Sequence, residues 1–311
     1  MNHGPIVVIG ATGFVGSALR EQLILSGQTV LGVARRGSDG VVGLGPVPDR
    51  VDWRPVVAGA DCVFHVAGSA QSGANLAQDV HAATRMGEAA MAAGVRRIVL
   101  LSTIKVHGET TPPGQAFSEH SALNPFDDYA RARLAVEAAL TPICGERLVV
   151  VRAPLVYGPG ARGNFRRLAG LVASGMPLPF AGLDNRRAMV SLTTLVAFLR
   201  HVATHPAAGG RAWAISDNED ISTPELMRRI GGAMGMEARL FALPEPLLRA
   251  MLWPFGAGAL TRRLLDDLAV DMSAAIHDLG FRPPETLGQG VWRAFNRGGA
   301  VALLPEEPDT A

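Results

Sequence analysis

Tyr129 and Arg133 stand four residues apart in Asp128-Tyr129-Ala130-Arg131-Ala132-Arg133. On a helix that spacing sends both side chains from one face. A fixed cation beside a phenol favours the phenolate, so the pair suits a general acid/base. The same spacing also describes a packed ring next to a solvated charge, so the pair needs support from the rest of the chain. Upstream, Asn124-Pro125 is a cap residue followed by proline, which predicts the opening of this helix.

A second group of residues could hold a phosphate. Gly10, Gly13 and Gly16 follow the β-branched run Ile6-Val7-Val8-Ile9 and open a helical segment. In that setting the first glycine permits a tight turn, the second lets backbone approach a pyrophosphate and the third lets helix and strand pack closely. The helix N-terminus adds free N–H groups and a positive dipole end. These features predict dinucleotide binding. The next strand ends at Ala34 and is followed by Arg35 and Arg36. A carboxylate at that point would bind ribose hydroxyls; two guanidinium groups suit a 2′-phosphate, favouring NADP(H) over NAD(H).

Short apolar runs at 6–9, 29–34, 62–66, 97–101 and 148–151 alternate with amphipathic segments, notably 75–93 and the Tyr129 helix. This rhythm predicts an α/β fold with a doubly wound parallel sheet covered on both faces. Residues 37–50, rich in Gly, Pro and Asp, read as surface loop. Beyond Gly163 the pattern becomes mostly helical, with one further strand at 211–215. The expected organisation is a dinucleotide-binding domain over 1–163 that also receives 191–216. A smaller, mostly helical substrate domain takes 164–190 and 217–304, and 305–311 form a disordered tail.

Of the 311 residues, 48% are hydrophobic and 18% charged, the balance of an ordinary globular protein. A net charge of +1 gives no general attraction to nucleic acid or anionic membrane. Cys62 and Cys144 read as buried free thiols in a reducing compartment. With no signal segment and no run long enough to span a bilayer, a cytoplasmic protein is expected. No Cys/His/carboxylate set has metal-ligand spacing, and His65, inside a strand, reads as packed.

The G-x-x-G-x-x-G spacing begins a resemblance to the extended short-chain dehydrogenase/reductases, the NAD(P)-dependent epimerase/dehydratase family. Asp61 and the strand end His65-Val66-Ala67-Gly68 resemble that family's adenine-contacting Asp and following turn. Ser102-Thr103-Ile104-Lys105-Val106-His107-Gly108 resembles the segment with its catalytic Ser/Thr, and Tyr129 matches its tyrosine. Arg152-Ala153-Pro154-Leu155-Val156-Tyr157-Gly158-Pro159 looks like the segment that passes the nicotinamide. Gly163-Asn164-Phe165 and Arg187-Ala188-Met189-Val190 resemble nucleotide-sugar elements. The resemblance runs from about residue 5 to about residue 295 and extends to the NDP-sugar 4-epimerases and 4-ketoreductases. It implies a Rossmann domain whose cofactor contacts are Gly10, Thr12, Gly13, Phe14, Val15, Gly16, Arg35, Arg36, Asp61, Ala67, Tyr129, Arg133 and Pro154. Catalysis falls to Thr103, Tyr129 and Arg133, and substrate contacts to Lys105, His107, Asn164, Arg187 and Arg263.

The chain departs from the family's Tyr-x-x-x-Lys at Arg133. Arginine keeps the charge and can donate to a ribose, but it does not release its proton, so electrostatic activation survives where a proton relay would not. The implied activity is 4-epimerisation of a UDP-hexose or UDP-N-acetylhexosamine. The alternatives are an NADPH-dependent 4-ketoreductase and an impaired dinucleotide or sugar sensor. The apolar stretch 246–265, with Arg249, Arg262 and Arg263, reads as the underside of a substrate lid; a membrane-surface helix would look similar. Family resemblance implies a homodimer through the 75–93 and Tyr129 helices.

Overall fold

The computed structural model describes residues 4–45, 50–68, 76–252 and 259–296. Its strands are β1 (Ile6–Ile9), β2 (Val30–Ala34), β3 (Val41–Gly43), β4 (Cys62–His65), β5 (Arg97–Thr103), β6 (Leu148–Ala153), β7 (Leu155–Tyr157), β8 (Arg187–Ser191), β9 (Arg211–Ala214) and β10 (Asp220–Ile221). Seven of them form one sheet in the order β3-β2-β1-β4-β5-β6-β9, and every pairing is parallel. The order reverses at β1, so a crevice opens beyond the carboxyl ends of β1 and β4. A smaller mixed sheet, β10-β8-β7, accompanies the helical C-terminal region.

The helices are α1 (Phe14–Leu25), α2 (Arg54–Val57), α3 (Leu76–Ala92), α4 (Asp128–Cys144), α5 (Asn164–Ala173), α6 (Leu192–Thr204), α7 (Thr223–Ala233), α8 (Glu245–Leu252), α9 (Ala259–Leu265), α10 (Ser273–Leu279) and α11 (Leu287–Phe295). Strand alternation divides the core between the two faces. Val8, Phe64, Val99 and Val151 pack with Leu19 of α1 and Leu195 and Phe198 of α6. Val7, Val63, Ile98 and Val150 pack with Met86 of α3 and Val136 and Leu140 of α4. A third cluster joins Tyr157, Phe165, Met189, Met227, Leu248 and Val291 around the small sheet. No described helix is long and apolar enough to cross a membrane.

Four local expectations change. Beyond Gly163, where one further strand is expected at 211–215, β8 and β10 form as well and join β7 in the small sheet. The 37–50 loop contains β3, whose three residues are too few to show a period, although Val41 is buried against β2. The Tyr129 helix opens at Asp128, not at Asn124-Pro125. The Asn124 N–H is tied to the Val106 carbonyl at 2.8 Å, and Asp127 supplies the cap by accepting the Ala130 N–H at 2.8 Å. In the stretch read as a lid, Leu248 is buried whereas Leu247 and Met251 are exposed. Asn75, Trp253, Phe255 and the 305–311 tail lie outside the described residues.

Candidate active site

The glycine turn has the geometry its sequence predicts. Gly10 has φ +92°, and a Cβ there would lie 2.7 Å from the Ala67 backbone nitrogen. A Cβ on Gly16 would lie 2.1 Å from the Gly10 carbonyl oxygen. The β1 turn, the β4 end and α1 therefore meet at distances only glycine allows. Gly13 caps α1 without a side-chain bond, and the first turn carries no acidic residue. That leaves N–H groups and the positive helix end for a pyrophosphate, so the residues fit a dinucleotide. Thr12, Phe14 and Val15 belong to this turn and first helical turn. Phe14 also lines a cavity of about 240 Å³ between α1 and α6, on the sheet face opposite α4.

Arg133 points from α4 into the crevice. It is only 6% exposed. Its Nη1 donates to the Ala67 carbonyl oxygen at 2.9 Å, and its Nη2 donates to that of Leu101. Burial pulls its pKa below the usual guanidinium range, opposed by Tyr129, Glu137 and Asp79. Arg133 Nε and His65 Nδ1 are buried without partners among the described residues. Burial and the Arg133 charge hold His65 neutral, with its pKa pushed down to about 3. Tyr129, half-buried in the first turn of α4, shares this helix face. Thr103, 5% exposed at the end of β5, accepts the Lys105 N–H at 3.3 Å through Oγ1. Its hydroxyl proton can then be donated elsewhere.

Beneath these residues lies a buried network that motif reading missed. Glu137 accepts from Ser102 Oγ and from Arg152 Nη2 at 2.7 Å. Arg152 Nη1 lies 3.1 Å from His107 Nε2, and His107 Nδ1 lies 3.2 Å from the Ala122 carbonyl oxygen. The network ties together β5, α4 and β6, the elements that carry Thr103, Tyr129 and the Ala153-Pro154 segment. Its signal was present as the continuation of the helix face, Tyr129-x-x-x-Arg133-x-x-x-Glu137. His107, expected to line the pocket, is only 3% exposed and has both ring nitrogens engaged. Burial and Arg152 lower its pKa, as suits a neutral packed imidazole.

Asp61 also departs from expectation. It precedes β4 and so lies at the amino end of that strand, the edge opposite the crevice. There it accepts the Gly4 N–H at 2.7 Å and pairs with Arg96 at 2.8 Å. Its position suits strand anchoring, not an adenine contact. Arg35 and Arg36 are exposed just beyond β2. Asp79 of α3 feels both Arg35 and Arg133, while burial raises its carboxyl pKa.

A charged cluster flanks the start of α4. Lys105 Nζ bonds Asp127 at 2.6 Å and Glu109 at 3.5 Å. Glu109 also accepts from Arg262 Nε at 3.0 Å and Arg263 Nε at 3.2 Å. Burial raises the Glu109 carboxyl, but these three cations outweigh it and hold its pKa below the usual range. Arg187 donates to the Asp266 carbonyl oxygen at 3.0 Å, and burial pulls it down to about 10. Lys105, Arg187 and Arg263, expected to meet substrate, thus belong to one electrostatic neighbourhood. Asn164 starts α5. Among the described residues, no group of His, Cys, Asp or Glu is placed to hold a metal ion.

The chain is similar to known proteins along nearly its whole length. A UDP-glucose 4-epimerase of Vibrio cholerae is 31% identical over 305 residues, 92% of each chain. An N-acetyl-alpha-D-glucosaminyl-diphospho-ditrans,octacis-undecaprenol 4-epimerase of Escherichia coli O157:H7 is 24% identical, covering 93% of this chain and 94% of its own. The fold is shared with MoeE5 in complex with UDP-glucose and NAD, with a TM-score of 0.74, 23% identity and coverage of 94% and 97%. Residues 6–216 match the NAD dependent epimerase/dehydratase family, from β1 through the end of the large sheet. The chain belongs to the NAD-dependent epimerase/dehydratase family of extended short-chain dehydrogenase/reductases.

Proposed function

We propose that this protein is a nucleotide-sugar 4-epimerase acting on a UDP-hexose or UDP-N-acetylhexosamine. The observation that supports the reading is that Arg133, on the Tyr129 helix, reaches the carbonyls of Ala67 and Leu101 at the ends of β4 and β5, the latter being the strand that ends in Thr103. The end-to-end likeness to a UDP-glucose 4-epimerase supports the sugar nucleotide. A bound nicotinamide would accept the C4 hydride and return it to the opposite face of the 4-keto sugar. Tyr129 would take the proton from the C4 hydroxyl and return it. Thr103 would donate its hydroxyl hydrogen to the same oxygen. Arg133, held by two strand carbonyls, would keep a fixed positive charge beside the phenol without moving a proton. Ala67, Pro154 and the glycine turn would border the cofactor, and Asn164, Arg187 and Arg263 would face the diphosphate.

Arg35 and Arg36 support NADP(H) as the preferred cofactor, and with it a second reading, the NADPH-dependent 4-ketoreductase. Asp79 is a carboxylate in the same neighbourhood and pulls toward NAD, the cofactor in the MoeE5 complex. One experiment separates these outcomes. The protein is incubated with UDP-glucose, UDP-GlcNAc or a 4-keto sugar nucleotide, and with each cofactor in turn. Epimer formation without net absorbance change at the nicotinamide band supports the epimerase; stoichiometric NADPH loss supports the reductase. Cofactor binding without turnover of any substrate would leave the sensor reading. The proposed homodimer through α3 and α4 is checked by sedimentation.

A further inference from the structure

Lys105 is the only lysine among the 29 lysines and arginines of the chain. Every other cationic side chain of that pair of types is an arginine, including the residue four after Tyr129. The single lysine stands two residues after Thr103. An ammonium puts three donors on one compact atom, whereas a guanidinium spreads five over a plane.

The contacts of Lys105 reach both halves of the site. Its backbone N–H holds Thr103 Oγ1 at 3.3 Å. Its Nζ, in a side chain 23% exposed, holds Asp127 Oδ2 at 2.6 Å. The other oxygen of Asp127 caps the helix that carries Tyr129, accepting the Ala130 N–H at 2.8 Å. One residue therefore connects the hydroxyl at the end of β5 to the first turn of α4. Arg263 approaches Asp127 only to 3.9 Å, and Glu109 takes Lys105 Nζ at 3.5 Å.

We propose that Lys105 and Asp127 form a brace setting Thr103 against Tyr129, which makes Lys105 a positioning residue; its role in turnover rests on the function proposed above. Arginine at 105 spreads its donors over a plane at the end of a longer side chain, so Lys105→Arg is expected to alter the bond to Asp127. The brace holds reacting groups, not the nucleotide, so its loss appears in kcat and not in KM.

The test uses Lys105→Met, Lys105→Arg, Asp127→Asn and the double variant Lys105→Met/Asp127→Asn; asparagine keeps a capping oxygen, so α4 retains its start. Each single variant is expected to lower kcat by about tenfold or more with KM within about twofold, and the double is no worse than the poorer single. A second readout needs no turnover. The chain has two tyrosines. Burial and Asp217 push ionisation of the fully buried Tyr157 far upward, so phenolate absorbance on raising pH reports Tyr129. The charges around this end of the site are Asp127 at the cap of α4, Asp128, Arg131, Arg133 and Glu137 on α4, Asp79 on α3, Glu109 and Lys105 after β5, and Arg262 and Arg263 on α9. Asp127→Asn unbalances the Lys105 charge and moves the absorbance midpoint down by some tenths of a pH unit; Lys105→Met unbalances Asp127 and moves it up. Opposite shifts support the brace. Unmoved midpoints, or wild-type kcat in Lys105→Arg, overturn it. If the wild-type protein turns over no sugar nucleotide, the proposed function fails, and the titration still decides the brace.

Discussion

Arg133 passes directly over Gly68: a Cβ on that glycine would lie 2.7 Å from Arg133 Nη1. The bulk of an arginine where the family has lysine is thus accommodated by the missing side chain at 68. The guanidinium then spans the ends of β4 and β5 through Ala67 and Leu101. Its fork geometry suits two carbonyls at once, which a single ammonium nitrogen matches less well. Arg133→Lys should therefore lose about 1 kcal/mol of stability in urea unfolding while kcat stays within about threefold, because the charge is kept. Arg133→Met should lower kcat by about a hundredfold. A large rise in kcat for Arg133→Lys would instead show that proton relay limits the natural chain.

Tyr129→Phe removes the only group assigned to take the C4 proton. Turnover is expected to fall by about 10²–10⁴-fold, while dinucleotide affinity measured by calorimetry changes by less than about threefold. Thr103→Val should cost about tenfold in kcat, since it removes one donor and leaves the strand end in place.

Arg35→Ala/Arg36→Ala addresses the cofactor. If the guanidinium groups meet a 2′-phosphate, the double variant loses about tenfold or more in NADP(H) affinity and little in NAD(H) affinity. Equal losses for both would place the arginines elsewhere.

Glu137 and Arg152 are both buried, with side-chain exposures of 6% and 9%. Glu137→Gln strands a buried cation and should cost about 3–5 kcal/mol in urea unfolding. Glu137→Leu combined with Arg152→Met removes both charges and should recover most of that loss.

His65 makes stability fall with acid. In the folded chain its pKa is pushed down to about 3 by burial and Arg133, while the unfolded chain takes up the proton below about 6.5. Its contribution is complete above about 6.5 and is lost progressively as pH falls toward 3. Between pH 7 and pH 5 the wild-type protein should lose up to about 2 kcal/mol more than His65→Asn, measured by urea unfolding at each pH.

Much of the fold was legible in the chain, and the candidate residues of the glycine turn and α4 could be picked out there, because these signals are local. The strand, glycine turn and helix of residues 6–25 are contiguous, and each glycine answers a contact within that unit or with the neighbouring strand end. Tyr129 and Arg133 share a face because helix geometry alone places them there. Alternating apolar runs imply a sheet covered on both sides, since only that arrangement buries them all. Position along a strand is a different matter. Asp61 and Ala67 bracket the same strand, yet only tertiary placement shows which end faces the crevice. His107 looked available from its motif and is sealed by Arg152, 45 residues later. The Glu137–Arg152 and Lys105–Asp127 pairs join residues 15 and 22 apart across different elements. Helix periodicity puts Glu137 on the Arg133 face, but no periodicity names the partner on another element. These contacts exist because burying a charge demands a partner, and the packed elements decided which one came within reach.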